Sequence, residues 1–271
     1  MSVGDGEHYV ILGRPESGYS MKVRSAMRYK GVPHEWMDRC LRNQKLFQAH
    51  AKVQLIPLVF LPDGSTVQDS TPILERLERD HPKPSLHPTD PGLRFLSELL
   101  EEYGDEWANK LMFHHRWGYR ADQKHRAGTL SRGMLDEHLR GRPYLLGGRP
   151  AFGDFGLWGQ LHQAFIDPTC GAQLKERGPA VVAWIERMLD PKNEGDFESL
   201  DTLDATLRPL LAREVGPRFL AWDAANAEAL LLSANPGVDS AVASNLGGFG
   251  TSTGGAYGNG TPTLPAAPDL P

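Results

Sequence analysis

The stretch that decides the fold runs from Leu55 to Ile73. It reads Leu55-Ile56-Pro57-Leu58-Val59-Phe60-Leu61, then Pro62-Asp63-Gly64, then Ser65-Thr66-Val67-Gln68-Asp69-Ser70-Thr71-Pro72-Ile73. The apolar run after Pro57 and the run 65–68 each predict a strand, and Asp63-Gly64 between them is a strong hairpin signal. Ser70 is a favoured helix N-cap, and apolar residues at helical spacing follow it. This stretch therefore predicts a β-hairpin that leads into an amphipathic helix.

The residues before this stretch predict a strand, a helix and a second strand. Tyr9–Leu12 is a short apolar run followed by glycine, and a helical pattern covers 20–30. The run 34–40 is typical of a strand, and Cys40 is expected to be buried in it. Residues 41–52 are typical of a loop with a short helix. The N-terminal part of the chain is thus expected to be α/β, in the order βαβ, ββ, α.

Beyond a proline-rich linker at 81–88, every periodic segment has helical spacing. The predicted helices cover 93–111, 123–139, 154–165, 179–189, 199–213 and 218–231, and Pro209 is expected to kink or split the fifth of them. From Ser233 onward the chain is rich in Gly, Ser, Ala and Pro and contains no Lys, Arg or Glu, which predicts a flexible tail or one draped over the surface. We therefore expect an α/β domain at 1–83, an all-helical domain at 90–232 and a low-complexity tail at 233–271.

The composition excludes several classes of function. The 271 residues carry a formal net charge of -5, which argues against nucleic-acid binding by phosphate neutralisation and against attraction to an anionic membrane. The sequence contains no long uncharged apolar run and therefore predicts no membrane span. The only cysteines, Cys40 and Cys170, predict neither a disulfide framework nor a cysteine metal site. Since the polar N-terminal residues do not predict a secretory signal, we expect a reduced, cytoplasmic protein.

Three motifs together resemble those of a known family. The tetrad Ser17-Gly18-Tyr19-Ser20 joins the first strand to the first helix, in the place of the glutaredoxin Cys-Pro-Tyr-Cys. Residues 55–73 are similar to the cis-proline strand and the acidic-Ser-x-x-Ile motif of glutathione S-transferases, and 150–155 to their helix-capping segment. From residue 8 to about residue 190 the chain resembles that family. The resemblance implies a thioredoxin-like N-terminal domain, an all-helical C-terminal domain, glutathione as co-substrate and a homodimer.

The resemblance assigns glutathione contacts to four residues. A cis Ile56–Pro57 bond would let the backbone of Ile56 pair with the cysteinyl unit of glutathione; the alternative is a trans proline at the start of the strand. Asp69 is expected to take the γ-glutamyl ammonium, and the Ser70 hydroxyl with its helix N-terminus the carboxylate. Asp69 is shorter than the family's Glu or Gln, so Gln68 is an alternative partner for the ammonium. Asp69-Ser70 also fits a pair that only caps the helix.

Ser17 is the candidate that activates the thiol. A hydrogen bond from its hydroxyl to a thiolate, of about 1.5–3 kcal/mol, would lower the thiol pKa by roughly one to two units. Tyr19 and Ser20 are the rivals, although Tyr19 is expected to pack under the first helix and Ser20 to cap it. With no cysteine in the tetrad, the sequence excludes two-thiol redox chemistry there.

The helical half holds further candidates. In the family the first part of the long helix lines the cleft for the second substrate, so Tyr103 and Trp107 are candidates for contact with an apolar electrophile; otherwise they are core residues. The adjacent His114-His115 lack the i, i+4 spacing of a metal pair. Asp154 is expected to cap its helix. A stripe typical of a solvated face, or of contact with an anionic substrate, is formed by Arg116, Arg120 and Lys124.

The leading interpretation is a glutathione transferase-like enzyme that ionises glutathione and adds it to an electrophilic small molecule, as in detoxification. The first alternative is a protein of the same fold that binds glutathione or a partner without catalysis. The second is a glutathione-dependent isomerase, which would use Ser17 in the same way.

Overall fold

A four-stranded mixed sheet lies at the centre of the N-terminal half of this computed structural model, which describes residues 8–109 and 133–233. Its strands are β1 (Tyr9–Gly13), β2 (His34–Asp38), β3 (Leu58–Phe60) and β4 (Thr66–Gln68), in the spatial order β2-β1-β3-β4. β1 pairs parallel with β2 and antiparallel with β3, and β3 pairs antiparallel with β4. The predicted βαβ unit and the hairpin are both confirmed.

The helices of this half are α1 (Gly18–Tyr29), α2 (Gln44–His50) and α3 (Ser70–Asp80), and a 3-10 turn (Leu41–Asn43) precedes α2. Alternate residues of the strands face α2, as a period of two requires. A single buried cluster contains Val10, Leu12, Leu58, Phe60 and Phe47 of α2. Because β2 ends at Asp38, the prediction that Cys40 is a buried strand residue is wrong, and the residue is half-buried in the following turn.

In the described residues of the C-terminal half, the regular secondary structure is helical, as predicted. The exceptions are isolated β-bridges. Its helices are α4 (Pro91–Glu102), α5 (Met134–Leu139), α6 (Phe152–Ile166), α7 (Pro168–Arg177), α8 (Pro179–Arg187), α9 (Leu200–Leu210) and α10 (Ala221–Ser233). A π-helical segment, Tyr103–Ala108, continues α4, and a second one, Leu211–Leu220, continues α9, so the chain does not split at Pro209. The sequence analysis missed α7, although Asp167 accepts the N–H groups of its first turn and Pro168 begins it.

Helix α6 lies in the core of the C-terminal half, and Asp154 fixes its start. The Asp154 carboxylate accepts the N–H groups of Ala151 and Leu145 and the indole N–H of Trp184, each at 2.9 Å. The predicted capping role of Asp154 is confirmed, although Ala151 contributes no hydroxyl of its own. Burial raises the pKa of Asp154 to about 6, while these donors favour its charged form.

Glycines let α6 approach α4 closely. A Cβ atom on Gly153 would lie 2.7 Å from the carbonyl oxygen of Ser97, and one on Gly156 would lie 2.8 Å from Cα of Glu101. Larger residues at these positions would therefore push the two backbones apart.

The described residues up to Val215 form one compact unit, and those from Gly216 form a second. The first unit contains both the sheet and the helices up to α9, so the domain division predicted near 83–90 stays a prediction. In the second unit, the rings of Phe219 and Trp222 stack with centroids 6.4 Å apart. Outside the described residues lie His114-His115, the stripe Arg116, Arg120 and Lys124, and the predicted tail from residue 234.

Two further observations apply to the described residues alone. None of their helices is both long enough and apolar enough to span a membrane. Between 8 and 109 and between 133 and 233, no group of three or more His, Cys, Asp or Glu side chains is arranged to hold a metal ion.

Candidate functional site

Ser17 lies at the turn between β1 and α1. Its backbone is extended, and its Oγ accepts a hydrogen bond from the N–H of Ser20 at 3.2 Å, so Ser17 and not Ser20 caps the helix. A hydroxyl that accepts a hydrogen bond keeps its own proton to donate, and the incoming N–H polarises the O–H bond. The half-buried Ser17 hydroxyl is therefore a donor at the positive end of α1.

A cavity of about 520 Å³ opens beside this turn. Three segments of the N-terminal half line it: the turn itself, the loop that leads into α2, and the loop before β3. The lining residues are Arg14, Glu16, Ser17, Gly18, Tyr19, Arg39, Cys40, Leu41, Phe47, Gln54, Leu55 and Ile56. The structure thus brings Ser17 and Ile56, two of the predicted site residues, to one cavity.

The peptide bond between Ile56 and Pro57 is cis, as the sequence analysis favoured. Pro57 is buried immediately before β3, while Ile56 is half-buried and lines the cavity. The backbone that leads into β3 therefore lies next to the cavity.

Asp69 and Ser70 lie at the N-terminus of α3 and are not among the residues that line the cavity. Asp69 is exposed and adopts a positive φ of 79°. Ser70 is fully buried, and its hydroxyl lies 3.5 Å from a carboxylate oxygen of Asp105. Ser70 thus contacts the helical half of the protein, a link that the sequence analysis did not predict.

Sequence comparison covers both halves of the chain. The model of the glutathione S-transferase N-terminal domain matches residues 16–80, and that of the C-terminal domain matches residues 133–187. The chain is 27% identical over 201 residues to a probable glutathione S-transferase, GSTU6, of Oryza sativa subsp. japonica, which covers 68% of this chain and 85% of that protein. It is 26% identical over 203 residues to a probable glutathione S-transferase of Solanum tuberosum, with 71% of this chain and 91% of that protein covered.

Both halves of the chain are thus similar to glutathione S-transferases.

Solved structures of glutathione S-transferases share the fold of this chain. A Tau class glutathione S-transferase of mango, Mangifera indica, has a TM-score of 0.56 and 17% identity, and covers 76% of this chain and 99% of its own. A rice glutathione S-transferase in complex with glutathione has a TM-score of 0.55 and 22% identity, and covers 68% of this chain and 86% of its own. The predicted fold class, a thioredoxin-like α/β half followed by a helical half, is confirmed.

A buried ionic cluster connects the two halves of the protein next to Ser70. The ammonium of Lys22 in α1 donates to Glu101, to Asp105 at 2.6 Å and to the hydroxyl of Thr71 at 3.0 Å. The side chains of Lys22, Glu101 and Asp105 are 0%, 4% and 9% exposed, so two carboxylates share one ammonium with little access to water.

This arrangement shifts two pKa values. Burial disfavours the Lys22 ammonium, but the two carboxylates outweigh it and raise the pKa of Lys22 above its ordinary value. Burial also raises the pKa of Asp105, to about 7, against the attraction of Lys22. The second carboxylate, that of Glu101, raises the pKa of Asp105 further, because one ammonium compensates only one of two buried negative charges.

The two rivals of Ser17 have other roles in the structure. Tyr19 lines the cavity, but its hydroxyl donates to the backbone oxygen of Asp105 and accepts from Asn109, each at 3.0 Å. Burial raises the pKa of Tyr19, which keeps the phenol protonated at neutral pH. Ser20 is fully buried, does not line the cavity, and has no partner for its hydroxyl among the described residues.

Tyr103 and Trp107 lie on the π-helical segment after α4, outside the lining of the cavity. Tyr103 is only 1% exposed, whereas Trp107 is half-buried. The apolar side chains that do line the cavity are Leu41, Phe47, Leu55 and Ile56.

The cavity residues that the sequence analysis did not assign to the site include Arg14, Arg39 and Cys40. The guanidinium of Arg39 stacks over the ring of Phe47, 4.3 Å from its centroid, and Nε of Arg14 donates to the carbonyl of Arg39 at 3.0 Å. Backbone N–H groups of the turn after Cys40, first that of Arg42, hold the pKa of the Cys40 thiol below its ordinary value. The signal available in the sequence was Asn43, whose side chain accepts the N–H of Cys40 at 3.0 Å, as in a capping box.

Gln68, a possible ligand residue in the sequence analysis, holds the loop before β3. Its side-chain oxygen accepts the N–H groups of Lys52 and Val53, and its amide nitrogen donates to the carbonyls of Val53 and Leu55. The Gln68 side chain thus makes all four of its hydrogen bonds to the segment that leads into Ile56.

Proposed function

We propose that the protein is a serine-type glutathione S-transferase that binds glutathione in the cavity beside α1 and ionises its thiol at the Ser17 hydroxyl. The thiolate then attacks an electrophilic small molecule, a reaction suited to detoxification.

The single observation that carries the proposal is the placement of Ser17. Its hydroxyl caps α1, keeps its proton free to donate, and faces the cavity that Ile56 also lines. A hydrogen bond to a thiolate contributes about 1.5–3 kcal/mol, equivalent to a fall in pKa of roughly one to two units from about 8.5. That shift gives a large fraction of thiolate near neutral pH.

The proposal assigns the charged ends of glutathione to residues of the cavity lining and to the N-terminus of α3 outside it. In this proposal Asp69 takes the γ-glutamyl ammonium, and the first turn of α3, which begins at Ser70, takes the carboxylate. The guanidinium groups of Arg14 and Arg39 add positive charge to the cavity for the tripeptide's carboxylates. The backbone of Ile56 next to Pro57 pairs with the cysteinyl unit.

An apolar electrophile fits the remaining lining. Leu41 is 90% exposed and Leu55 is 54% exposed at the cavity, so both gain by contact with an apolar molecule. Tyr103 and Trp107 remain proposed contacts in the second-substrate cleft, and the half-buried Trp107 has the more surface to offer. The similarity to the family supports a homodimer, and the composition supports a cytoplasmic location.

The competing function is glutathione binding without catalysis, and the specific observation behind it is that the Ser70 hydroxyl faces Asp105. Titration calorimetry with glutathione, followed by turnover with a panel of electrophiles, separates the two. The proposal expects both heat of binding and turnover. Binding without turnover of any electrophile would favour the competing function, and an absence of binding at millimolar glutathione would overturn both.

A further inference from the structure

Helix α6 of the C-terminal half touches the Ser17 turn on both sides of the serine. On the C-terminal side, Gly18 and Gly159 meet backbone to backbone. A Cβ atom on Gly18 would lie 2.6 Å from the carbonyl oxygen of Gly159, and one on Gly159 would lie 2.7 Å from that of Gly18. Neither helix can carry a larger residue at this contact without moving the start of α1.

On the N-terminal side, Gln163 holds the turn by a hydrogen bond. Its Nε2 donates to the carbonyl of Pro15 at 2.9 Å, and the side chain is almost completely buried. Gln163 follows Gly159 by four residues, so both lie on one face of α6. Two independent contacts from this face therefore hold Pro15 and Gly18, the residues that bracket Ser17.

We propose that Gly159 and Gln163 are positioning residues, which set where the Ser17 hydroxyl stands at the cavity. This inference rests on the proposed function for its consequence in catalysis. The reason is geometric: the hydroxyl belongs to the cap of α1, and the cap moves with the backbone of the turn. A shift of a few tenths of an ångström changes both its distance to a bound thiol and its alignment with the N-terminus of α1.

The first arm of the test needs no glutathione. A thiol is placed at the turn by Ser17→Cys in a Cys40→Ser background, and its pKa is read from the rate of iodoacetamide alkylation against pH. Cys170 interferes little at neutral pH, because burial raises the pKa of its thiol to about 11. A thiol at a helix N-terminus has a lowered pKa, so displacement of the turn is expected to raise it by about half a unit.

The variants are Gln163→Met and Gly159→Ala, and the matched control is Gly153→Ala. The control sits on the same helix, and its added methyl meets the Ser97 carbonyl at 2.7 Å, away from the turn. We expect the two test variants to raise the pKa of the introduced thiol and the control to leave it unchanged, even where the loss in Tm is equal. Equal shifts in the thiol pKa in all three variants, or no shift in Gln163→Met, would overturn the inference. If Gly159→Ala fails to fold, Gln163→Met alone is compared with the control.

The second arm keeps Ser17 and titrates the thiolate absorbance of bound glutathione. In Gln163→Met the pKa of the bound thiol is expected to rise by a similar amount, with kcat reduced at neutral pH, restored at higher pH, and KM for glutathione little changed. If bound glutathione titrates as in the wild type, the positioning role is refuted. If the wild type binds no glutathione, the proposed function fails, and the alkylation arm alone decides the positioning of the turn.

Discussion

Replacing Lys22 by methionine removes the one ammonium that the described residues place in the buried cluster with Glu101 and Asp105. Methionine has a similar length, so the change leaves two carboxylates buried without their partner instead of opening a cavity. Breaking a buried ion pair in this way costs about 3–5 kcal/mol of the free energy of unfolding. The side chains are at most 9% exposed, so water cannot replace the ammonium without local opening. We expect a loss in this range for Lys22→Met near pH 8.

The loss should depend on pH, with a definite sign. The pKa of Asp105 is raised to about 7 in the folded protein from 3.8, so the folded state holds this proton where the unfolded state has lost it. The free energy of unfolding therefore falls as pH rises from about 4 to about 7. Removal of Lys22 raises the pKa of Asp105 further, which extends this fall to higher pH. The penalty of Lys22→Met is thus expected to grow with pH.

The assay is urea denaturation of the wild type, Lys22→Met and Lys22→Met/Glu101→Leu/Asp105→Leu at several pH values. The triple variant is expected to recover most of the loss, since apolar residues in place of a complete buried cluster are often neutral. The exposed Lys45→Met serves as the control for a lost surface charge. A penalty below about 1 kcal/mol at pH 8, or one that does not vary with pH, would refute the reasoning.

Three further predictions concern the ligand, the thiols and the tail. Glutathione at a hundred times its Kd should stabilise the wild type by about 2.7 kcal/mol, and Asp69→Ala should reduce its thermal shift at a fixed concentration; an equal shift in the variant would remove Asp69 from the site. Iodoacetamide at neutral pH should label Cys40 in preference to Cys170, because their pKa values are shifted in opposite directions, and glutathione should protect Cys40; mass spectrometry that finds Cys170 labelled first would contradict this. Deletion of 240–271 should leave solubility and glutathione binding intact, as measured by gel filtration and calorimetry, since that stretch has little apolar surface to bury; insoluble protein or lost binding would show otherwise.

Local patterns predicted the architecture well. Short apolar runs and Asp63-Gly64 were sufficient for the order of the strands, and helical spacing beyond residue 90 was sufficient for the helical character of the C-terminal half. The cis bond before Pro57 came from the resemblance, because local sequence alone favours trans. Helix α7 was missed although Asp167 and Pro168 gave its start signal, since its few apolar residues form no stripe.

The site was predicted in part, for a physical reason. Ser17 and Ile56 are marked by turns in the sequence, and both line the cavity. Arg39 and Cys40 reach it through the path of the chain after β2, and Asn43, the local signal for the turn there, does not show that the turn meets the cavity. The Ser70 hydroxyl likewise contacts Asp105, which is 35 residues away in the sequence. Long-range contacts of this kind have no characteristic sequence spacing from which they could be predicted.

The titration of bound glutathione in Ser17→Ala tests the central claim most directly. The thiolate absorbance is followed against pH for the wild type, Ser17→Ala, Ser17→Thr, Ser20→Ala and Tyr19→Phe. We expect Ser17→Ala to raise the pKa of the bound thiol by about one to two units, and Ser17→Thr, which keeps a hydroxyl, to restore most of the shift. Ser20→Ala and Tyr19→Phe should titrate like the wild type. A wild-type titration in Ser17→Ala, with the shift found instead in Ser20→Ala or Tyr19→Phe, would contradict the account.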